Sequence, residues 1–158
     1  MEKAITTILI TVASVVAMLV VINATFPTVT RTSGAISAAG AVLTERIKTD
    51  VEIVHAGGDN GSDTAYVWAK NIGSARVGAL DQADLFFGAD SAFERLPYGQ
   101  AGCVAPCWES VVENATQWEP SATLRITIHP VDPLAAGSTY YVKFVTSNGA
   151  SDSRYFTL

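Results

Sequence analysis

The sequence predicts an α+β fold, with a long, apolar N-terminal α-helix over residues 1–50 followed by an antiparallel β-sandwich over residues 51–158. No charged residue occurs from Ala4 to Thr30. Between residues 36 and 47, apolar and small residues recur every three or four positions, as on one face of an α-helix. From Val51 onward the apolar period changes to two, which is typical of β-strands.

The first helical stretch, Ala4–Ile22, is long enough to span a membrane. About nineteen residues at ~1.5 Å per residue give a helix of roughly 28 Å, close to the thickness of the hydrocarbon core of a bilayer. Its polar side chains are small hydroxyls that can bond back to the preceding turn, namely Thr6, Thr7, Thr11 and Ser14. A secretory signal peptide would have a shorter apolar core and a more basic start. A plain one-helix membrane anchor is a second reading of the same segment.

A second helical stretch, roughly residues 29–49, is expected to continue the first across a kink at Pro27, because proline removes a backbone donor. It carries one apolar stripe and a run of small residues that would let helix backbones approach closely. A simple anchor needs no such extension, whereas a helix that bundles with copies of itself does. The predicted packing positions of that bundle are Ile5, Leu9, Val12, Val16, Leu19, Ile36, Gly40, Leu43 and Ile47.

Short segments of alternating hydrophobicity fill the rest of the chain, separated by turns rich in Gly, Asn, Asp and Pro. About seven strands without a helical pattern between them predict a sandwich of immunoglobulin-like type. Asn148 and Gly149 predict a hairpin between the last two. The candidate strands are Val51–Ala56, Ala65–Asn71, Ala83–Phe87, Trp108–Val112, Thr123–His129, Thr139–Thr146 and Arg154–Leu158.

Two cysteines, Cys103 and Cys107, enclose a very short loop. A zinc site would need a second pair of ligands, and the only histidines, His55 and His129, are far away in sequence. Both histidines are expected to be solvated. The spacing also differs from that of a redox Cys-x-x-Cys motif. The pair therefore predicts a disulfide that stiffens the loop and contributes only ~2 kcal/mol to stability.

Three Asn-x-Ser/Thr triplets begin at Asn23, Asn60 and Asn114. Each is a possible acceptor of N-linked glycan if it lies on an accessible surface. Asn60 lies in a polar Gly/Asp turn and Asn114 follows a candidate strand, so these two are the candidate glycosylation sites. Asn23 ends the apolar helix and is expected to be shielded.

Several functional classes are disfavoured by the composition. The formal net charge is −5, and no cluster of Lys and Arg is present to neutralise phosphates, which argues against nucleic acid as a partner. There is no Gly-x-Ser-x-Gly motif, no phosphate-binding loop and no acid pair that can be placed together. The sequence therefore predicts no catalytic residues, no cofactor and no metal site, and a role other than that of an enzyme.

The order of these parts resembles the archaellins, the subunits of the archaeal swimming filament, and in plan other type IV pilin-like proteins. The local resemblance lies in residues 66–73, Tyr-Val-Trp-Ala-Lys-Asn-Ile-Gly, and in residues 137–149 near the C-terminus. The resemblance implies a homo-polymer held through the N-terminal helix, with the β-domains on its surface. It also implies a single-pass membrane protein before assembly, an archaellum or pilus-type assembly machinery, and an extracellular filament for swimming motility.

Two further expectations come from the same resemblance. Family precursors carry a short basic leader that is cut before the apolar helix, and Met1-Glu2-Lys3 is the candidate leader here, leaving Ala4 first. Unprocessed relatives with this plan exist among the accessory proteins of the archaellum stator. The alternative function is therefore a membrane-anchored stator or accessory protein whose β-domain binds a surface-layer protein.

Overall fold

The computed structural model describes residues 2–90 and 92–158, without the side chains of residues 2, 25–31, 33 and 35. The chain divides into two compact units, one ending at Leu43 and one spanning Thr44–Leu158. The described residues form one α-helix, α1 (Glu2–Lys48), and eight strands. The strands are β1 (Val51–Gly58), β2 (Ala65–Asn71), β3 (Asp84–Ala89), β4 (Ala92–Leu96), β5 (Cys107–Glu113), β6 (Thr123–His129), β7 (Thr139–Val145) and β8 (Ser151–Thr157).

Helix α1 joins the two predicted helical stretches into one element of 47 residues. Proline removes a single bond from the helical ladder, and the long helical segments on both sides keep the backbone helical through residue 27. The side chain of Pro27 is not among those described, and the kink expected at this residue stays a prediction. Arg46 and Lys48 lie in the last turn, where cations complement the negative end of the helix dipole.

The strands described in residues 51–158 form two antiparallel four-stranded sheets. Their orders are β1-β2-β6-β5 and β4-β3-β7-β8, which is the strand arrangement of an immunoglobulin-like sandwich with one additional edge strand. Near the start of β7, the hydroxyl of Tyr140 accepts a hydrogen bond of 2.9 Å from the Ala135 N–H, as in the tyrosine corner of such sandwiches. The predicted α+β fold class is therefore confirmed.

All seven predicted strands are present: two have the predicted ends, and the ends of the other five differ by up to three residues. The sequence missed β4, and its burial pattern gives the reason. Four of its five residues are exposed and only Leu96 is buried, because β4 is an edge strand that pairs with β3 alone. A strand of this kind carries no alternation of apolar and polar residues. A single 3₁₀ turn, Leu80–Gln82, was also not predicted.

The core lies between the two sheets and follows the predicted alternation. Leu124, Ile126 and Ile128 of β6 are fully buried, as the period of two requires. Trp108 and Trp118 are buried as well, and both pack against Phe144 with ring centroids 5.8 and 5.9 Å apart. Both tryptophans are therefore core residues of the sandwich.

Charged side chains of β8 close the edge of the first sheet at β1. The Ile53 N–H donates to Asp152 Oδ2 at 2.7 Å. Arg154 Nη1 donates to the carbonyl oxygens of Ile53 and Val54 at 2.8 and 3.0 Å. The contact coincides with an irregularity in the β1–β2 register between Ile53 and His55. Backbone groups that an edge strand would present to another chain are thereby satisfied within the molecule.

Candidate assembly surface

The surface of α1 is apolar and exposed over Lys3–Ala24. From Lys3 to Ala24 the mean hydropathy is 2.7, and none of this segment is buried within the chain. An apolar surface of this extent in water is stabilised only by burial in lipid or against protein. The predicted side-chain packing positions are 54% to 83% exposed, namely Ile5, Leu9, Val12, Val16, Leu19, Ile36, Leu43 and Ile47.

Three hydroxyl groups of this segment are satisfied within the helix. Thr7 Oγ1 donates to the Lys3 carbonyl oxygen at 2.9 Å, and Thr11 Oγ1 donates to the Ile8 carbonyl oxygen at 2.8 Å. Ser14 Oγ donates to the carbonyl oxygen of Thr11 at 2.8 Å. These bonds confirm the predicted back-bonding and leave no cost for burying these three hydroxyls in an apolar environment.

The predicted packing positions fall into two sets, one before and one after Pro27. On an ideal α-helix, which turns about 100° per residue, the set from Ile5 to Leu19 and the set from Ile36 to Ile47 would point roughly 130° apart. Each set by itself forms a continuous stripe. One helix could therefore offer two different faces to two different neighbours.

Two glycines of α1 leave open space on its surface. A Cβ built on Gly34 or on Gly40 would meet no atom of the described residues within 4 Å beyond the helix's own neighbouring backbone. The isolated chain therefore has no steric need for glycine at either position. Gly40 lies within the second stripe, where the close approach of another helix would need a small residue.

The last turn of α1, residues 44–48, belongs to the same compact unit as the sandwich. The Ser74 and Ala75 N–H groups both donate to the Lys48 carbonyl oxygen, at 2.8 and 3.1 Å. From the β7–β8 hairpin, Asn148 Nδ2 donates to Thr49 Oγ1 at 2.6 Å. The Lys48 carbonyl group, which lacks a partner inside the helix, is in this way bound by the loop after β2.

Asn71 and Gly73 shape that loop. Asn71 is fully buried; its Nδ2 donates to the carbonyl oxygens of Ala75 and Trp118 at 2.9 and 3.2 Å, and its Oδ1 accepts from the Gly73 N–H at 3.0 Å. A Cβ at Gly73 would lie 2.5 Å from the Asp50 nitrogen and closer still to the Lys48 carbonyl oxygen. The motif in residues 66–73 thus ends in the loop that holds the end of the helix.

The two cysteines are joined by a disulfide, with Cα atoms 6.4 Å apart. The bridge packs on Gly99, where a Cβ would lie 2.5 Å from Cys103 Cβ. Glu109 Oε2 accepts a hydrogen bond of 2.6 Å from the N–H of Gly102, the residue before Cys103. The bridge and this bond together fix a loop that has little regular structure of its own.

Replacing both cysteines (Cys103→Ser with Cys107→Ser) should lower the free energy of unfolding by about 2 kcal/mol, because only a very short loop is released in the unfolded chain. Urea unfolding of the full chain in detergent micelles, followed by tryptophan fluorescence, measures this loss. Val104→Ser is the matched control, since Val104 is 88% exposed at the loop tip. A loss of 4 kcal/mol or more would contradict the view that the bridge stiffens only the loop.

The strand register places His129 beside the disulfide. Cys107 pairs with His129 across β5 and β6, and ligand atoms of Cys103, Glu109 and His129 all lie within 4.8 Å of one another. His129 is half-buried, and among the described residues its Nε2 is buried without a hydrogen-bond partner, so the ring is solvated only in part. His55 is exposed, as expected. This cluster could not be predicted from the sequence, because His129 is far from the cysteines along the chain and the pairing of β5 with β6 brings them together.

The two candidate glycosylation residues are both exposed. Asn60 Oδ1 accepts a hydrogen bond of 3.0 Å from the Ala136 N–H. Asn114 follows β5 with a φ of 58°, a left-handed conformation that Asn tolerates better than most residues. Modification at either position stays a prediction.

Comparison with known proteins identifies the family of this chain. The family model of archaeal-type flagellin matches residues 2–156. The chain therefore belongs to the archaeal-type flagellin family. An uncharacterized protein from Archaeoglobus fulgidus is 27% identical over 164 residues, covering 99% of this chain and 98% of the relative.

Solved structures share the fold. The flagellum of Methanospirillum hungatei strain JF1 aligns with a TM-score of 0.62 and 18% identity, covering 99% of this chain and 92% of that one. The archaellum periplasmic stator protein FlaG from Sulfolobus acidocaldarius aligns with a TM-score of 0.59 and 22% identity, covering 68% of this chain and 99% of that one. Both likenesses concern the fold.

Proposed function

We propose that this chain is the structural subunit of an archaellum-like extracellular filament that serves swimming motility. Residues 1–50 form the apolar core of the polymer and residues 51–158 form its outer surface. The observation that carries the proposal is the exposed apolar surface of Lys3–Ala24 in α1, in a member of the archaeal-type flagellin family. The role is structural, and no residue is assigned to catalysis.

The energetics of assembly follow from the surface of α1. In water, burial of apolar surface contributes about 25 cal/mol per Å², so a free subunit with α1 exposed would be unstable in solution. We infer that a single-pass membrane state precedes assembly and that archaellum or pilus-type machinery extracts the subunit. Lipid and a helical core are similarly apolar, so close packing at small residues has to favour the polymer.

The polymer follows from contacts between unlike faces. The stripe ending at Leu19 and the stripe starting at Ile36 point in different directions on α1, so a neighbour bound at one stripe leaves the other stripe free. Contacts of this heterologous kind generate an open helical filament when the rotation between copies does not close into a ring. The two stripes therefore support a polymer over a closed dimer.

Gly40→Leu should reduce the yield of filaments at least about tenfold, because a side chain between closely packed helices costs roughly 1–3 kcal/mol. The chain itself has room for the added side chain, so the unit spanning Thr44–Leu158, called the β-unit below, should keep its stability. Filaments sheared from cells and counted by negative-stain electron microscopy give the yield.

Gly34→Leu is the matched control, because Gly34 is equally unobstructed in the chain but lies about 120° around the helix from Gly40. It should assemble better than Gly40→Leu. Normal filaments from Gly40→Leu would show that position 40 does not pack in the core. An equal loss from both variants would show that the stripe is not the packing face.

The alternative is a membrane-anchored stator or accessory protein whose β-unit binds a surface-layer protein. The similarity to the stator protein FlaG, with a TM-score of 0.59, favours this second candidate. Fractionation separates the two functions: a filament subunit is released by shearing, whereas a stator protein stays with the membrane. If no sheared filament contains this chain, the filament function is wrong.

A further inference from the structure

We propose that the β-unit carries a redox-gated zinc site, formed by Cys103, Cys107, Glu109 and His129 when the disulfide is reduced. The site lies within Thr44–Leu158 and does not depend on filament assembly. The oxidised state has the bridge described above, and the reduced state would exchange that bridge for a bound metal ion.

The strands bring the four side chains together. Cys107 opens β5, and His129 stands opposite it at the end of β6. Glu109 lies two residues further along β5 and so projects from the same face as Cys107. The loop returns Cys103 to this point, and its Sγ is bonded to that of Cys107.

Three of the four ligand atoms lie at distances close to those of a metal site, and the fourth, Cys107 Sγ, is bonded to Cys103 Sγ. Ligand atoms of Cys103, Glu109 and His129 lie within 4.8 Å of one another. Around one tetrahedral zinc ion, with bonds of about 2.0–2.3 Å, ligand atoms are roughly 3.5 Å apart. The remaining difference of about 1 Å is within reach of side-chain rotation once the covalent bridge is released.

Two polar groups are already arranged as ligands of such an ion. His129 Nε2 is buried and finds no hydrogen-bond partner among the described residues, a state that costs free energy until a partner binds. Glu109 Oε2 is held by the Gly102 N–H at 2.6 Å. A hydrogen bond of this kind orients a carboxylate toward a metal.

Reduction supplies the remaining two ligands. A thiolate of a dithiol reductant attacks the bridge, the S–S bond breaks, and the reductant closes to its own cyclic disulfide. Two electrons and two protons pass to Cys103 and Cys107. Zn²⁺ then displaces both thiol protons and forms two Zn–S bonds, because the thiolate is the form that binds metal.

The ligand set selects the metal. Two thiolates, one imidazole and one carboxylate form a four-coordinate set, and the three residues between Cys103 and Cys107 fall within the usual spacing of paired zinc cysteines. Soft thiolates favour zinc over calcium or magnesium. Neutral disulfide sulfurs offer no such ligands, so the oxidised chain should bind zinc far more weakly.

The test uses the full chain in detergent micelles, reduced with a water-soluble phosphine and titrated with Co²⁺ as a spectroscopic substitute for zinc. The reduced chain should give thiolate-to-cobalt charge-transfer bands and the ligand-field bands of tetrahedral cobalt. Added Zn²⁺ should remove both. The oxidised chain should give neither.

His129→Ala should weaken Co²⁺ binding at least about tenfold, whereas His55→Ala should leave it unchanged, because His55 is the exposed histidine outside the cluster. Glu109→Gln keeps an oxygen that can accept from the Gly102 N–H and should also weaken Co²⁺ binding. This second variant tests the site if His129→Ala does not fold. Equal Co²⁺ affinity in the wild type and in a folded ligand variant would overturn the proposal. So would the absence of tetrahedral bands in the reduced wild type.

Discussion

Replacing Val12 with lysine (Val12→Lys) should abolish filaments and reduce membrane insertion of the subunit about 100-fold. Val12 lies near the middle of the apolar segment Lys3–Ala24 and is 56% exposed in the chain. A lysine at the centre of a bilayer costs about 3 kcal/mol. In a packed helical core an unpaired ammonium group costs at least as much, because no water is present to solvate it.

Two measurements check this prediction. Alkaline extraction of membranes gives the inserted fraction, and electron microscopy of sheared material gives the filament yield. Val131→Lys is the matched control, because Val131 is 65% exposed on the β-unit and the added charge remains in water there. Normal filaments from Val12→Lys would mean that this position faces solvent in the polymer.

Gly73→Ala should lower the free energy of unfolding of the β-unit by about 3 kcal/mol, at the upper end of the usual cost of overpacking. The added methyl group would meet backbone atoms of Lys48 and Asp50, and backbone cannot rotate away as a side chain can. The loop would have to move, and the bonds from the Ser74 and Ala75 N–H groups to the Lys48 carbonyl oxygen would be strained or lost.

Urea unfolding in micelles, followed by the fluorescence of the buried tryptophans, gives the change in free energy. Gly78→Ala is the control in the same connection, because a Cβ at Gly78 would meet no described atom within 4 Å. It should be neutral or slightly stabilising. If the two variants unfold at the same urea concentration, the contact at Gly73 does not hold the loop.

Much of the fold was predictable because it depends on local pattern. The absence of charge from Ala4 to Thr30 predicted the apolar part of α1, and the alternation in Thr123–His129 predicted the buried face of β6. Strand β4 was not predictable in this way, since an exposed edge strand has no alternating pattern. The domain division at residue 50 stays a prediction.

The candidate sites were predictable only in part. The disulfide partners are near in sequence, so Cys103 and Cys107 could be paired without a structure. The position of His129 beside them depends on the register of β5 and β6, and that register is set by packing across the whole sheet. The role of Gly73 was likewise hidden, because it depends on a contact with the end of α1.

The side chains of Asp152 and Arg154 have a consequence for a surface made of many β-units. Crowding raises the local concentration of sheet edges. An edge strand with unpaired backbone groups would form hydrogen bonds with the edge strand of the next copy, which is how cross-β aggregation begins. At β1 the donor of Ile53 and the acceptors of Ile53 and Val54 are already occupied by these two charged residues. A neighbouring unit at high density around a filament therefore finds these three backbone groups of the β1 edge already occupied.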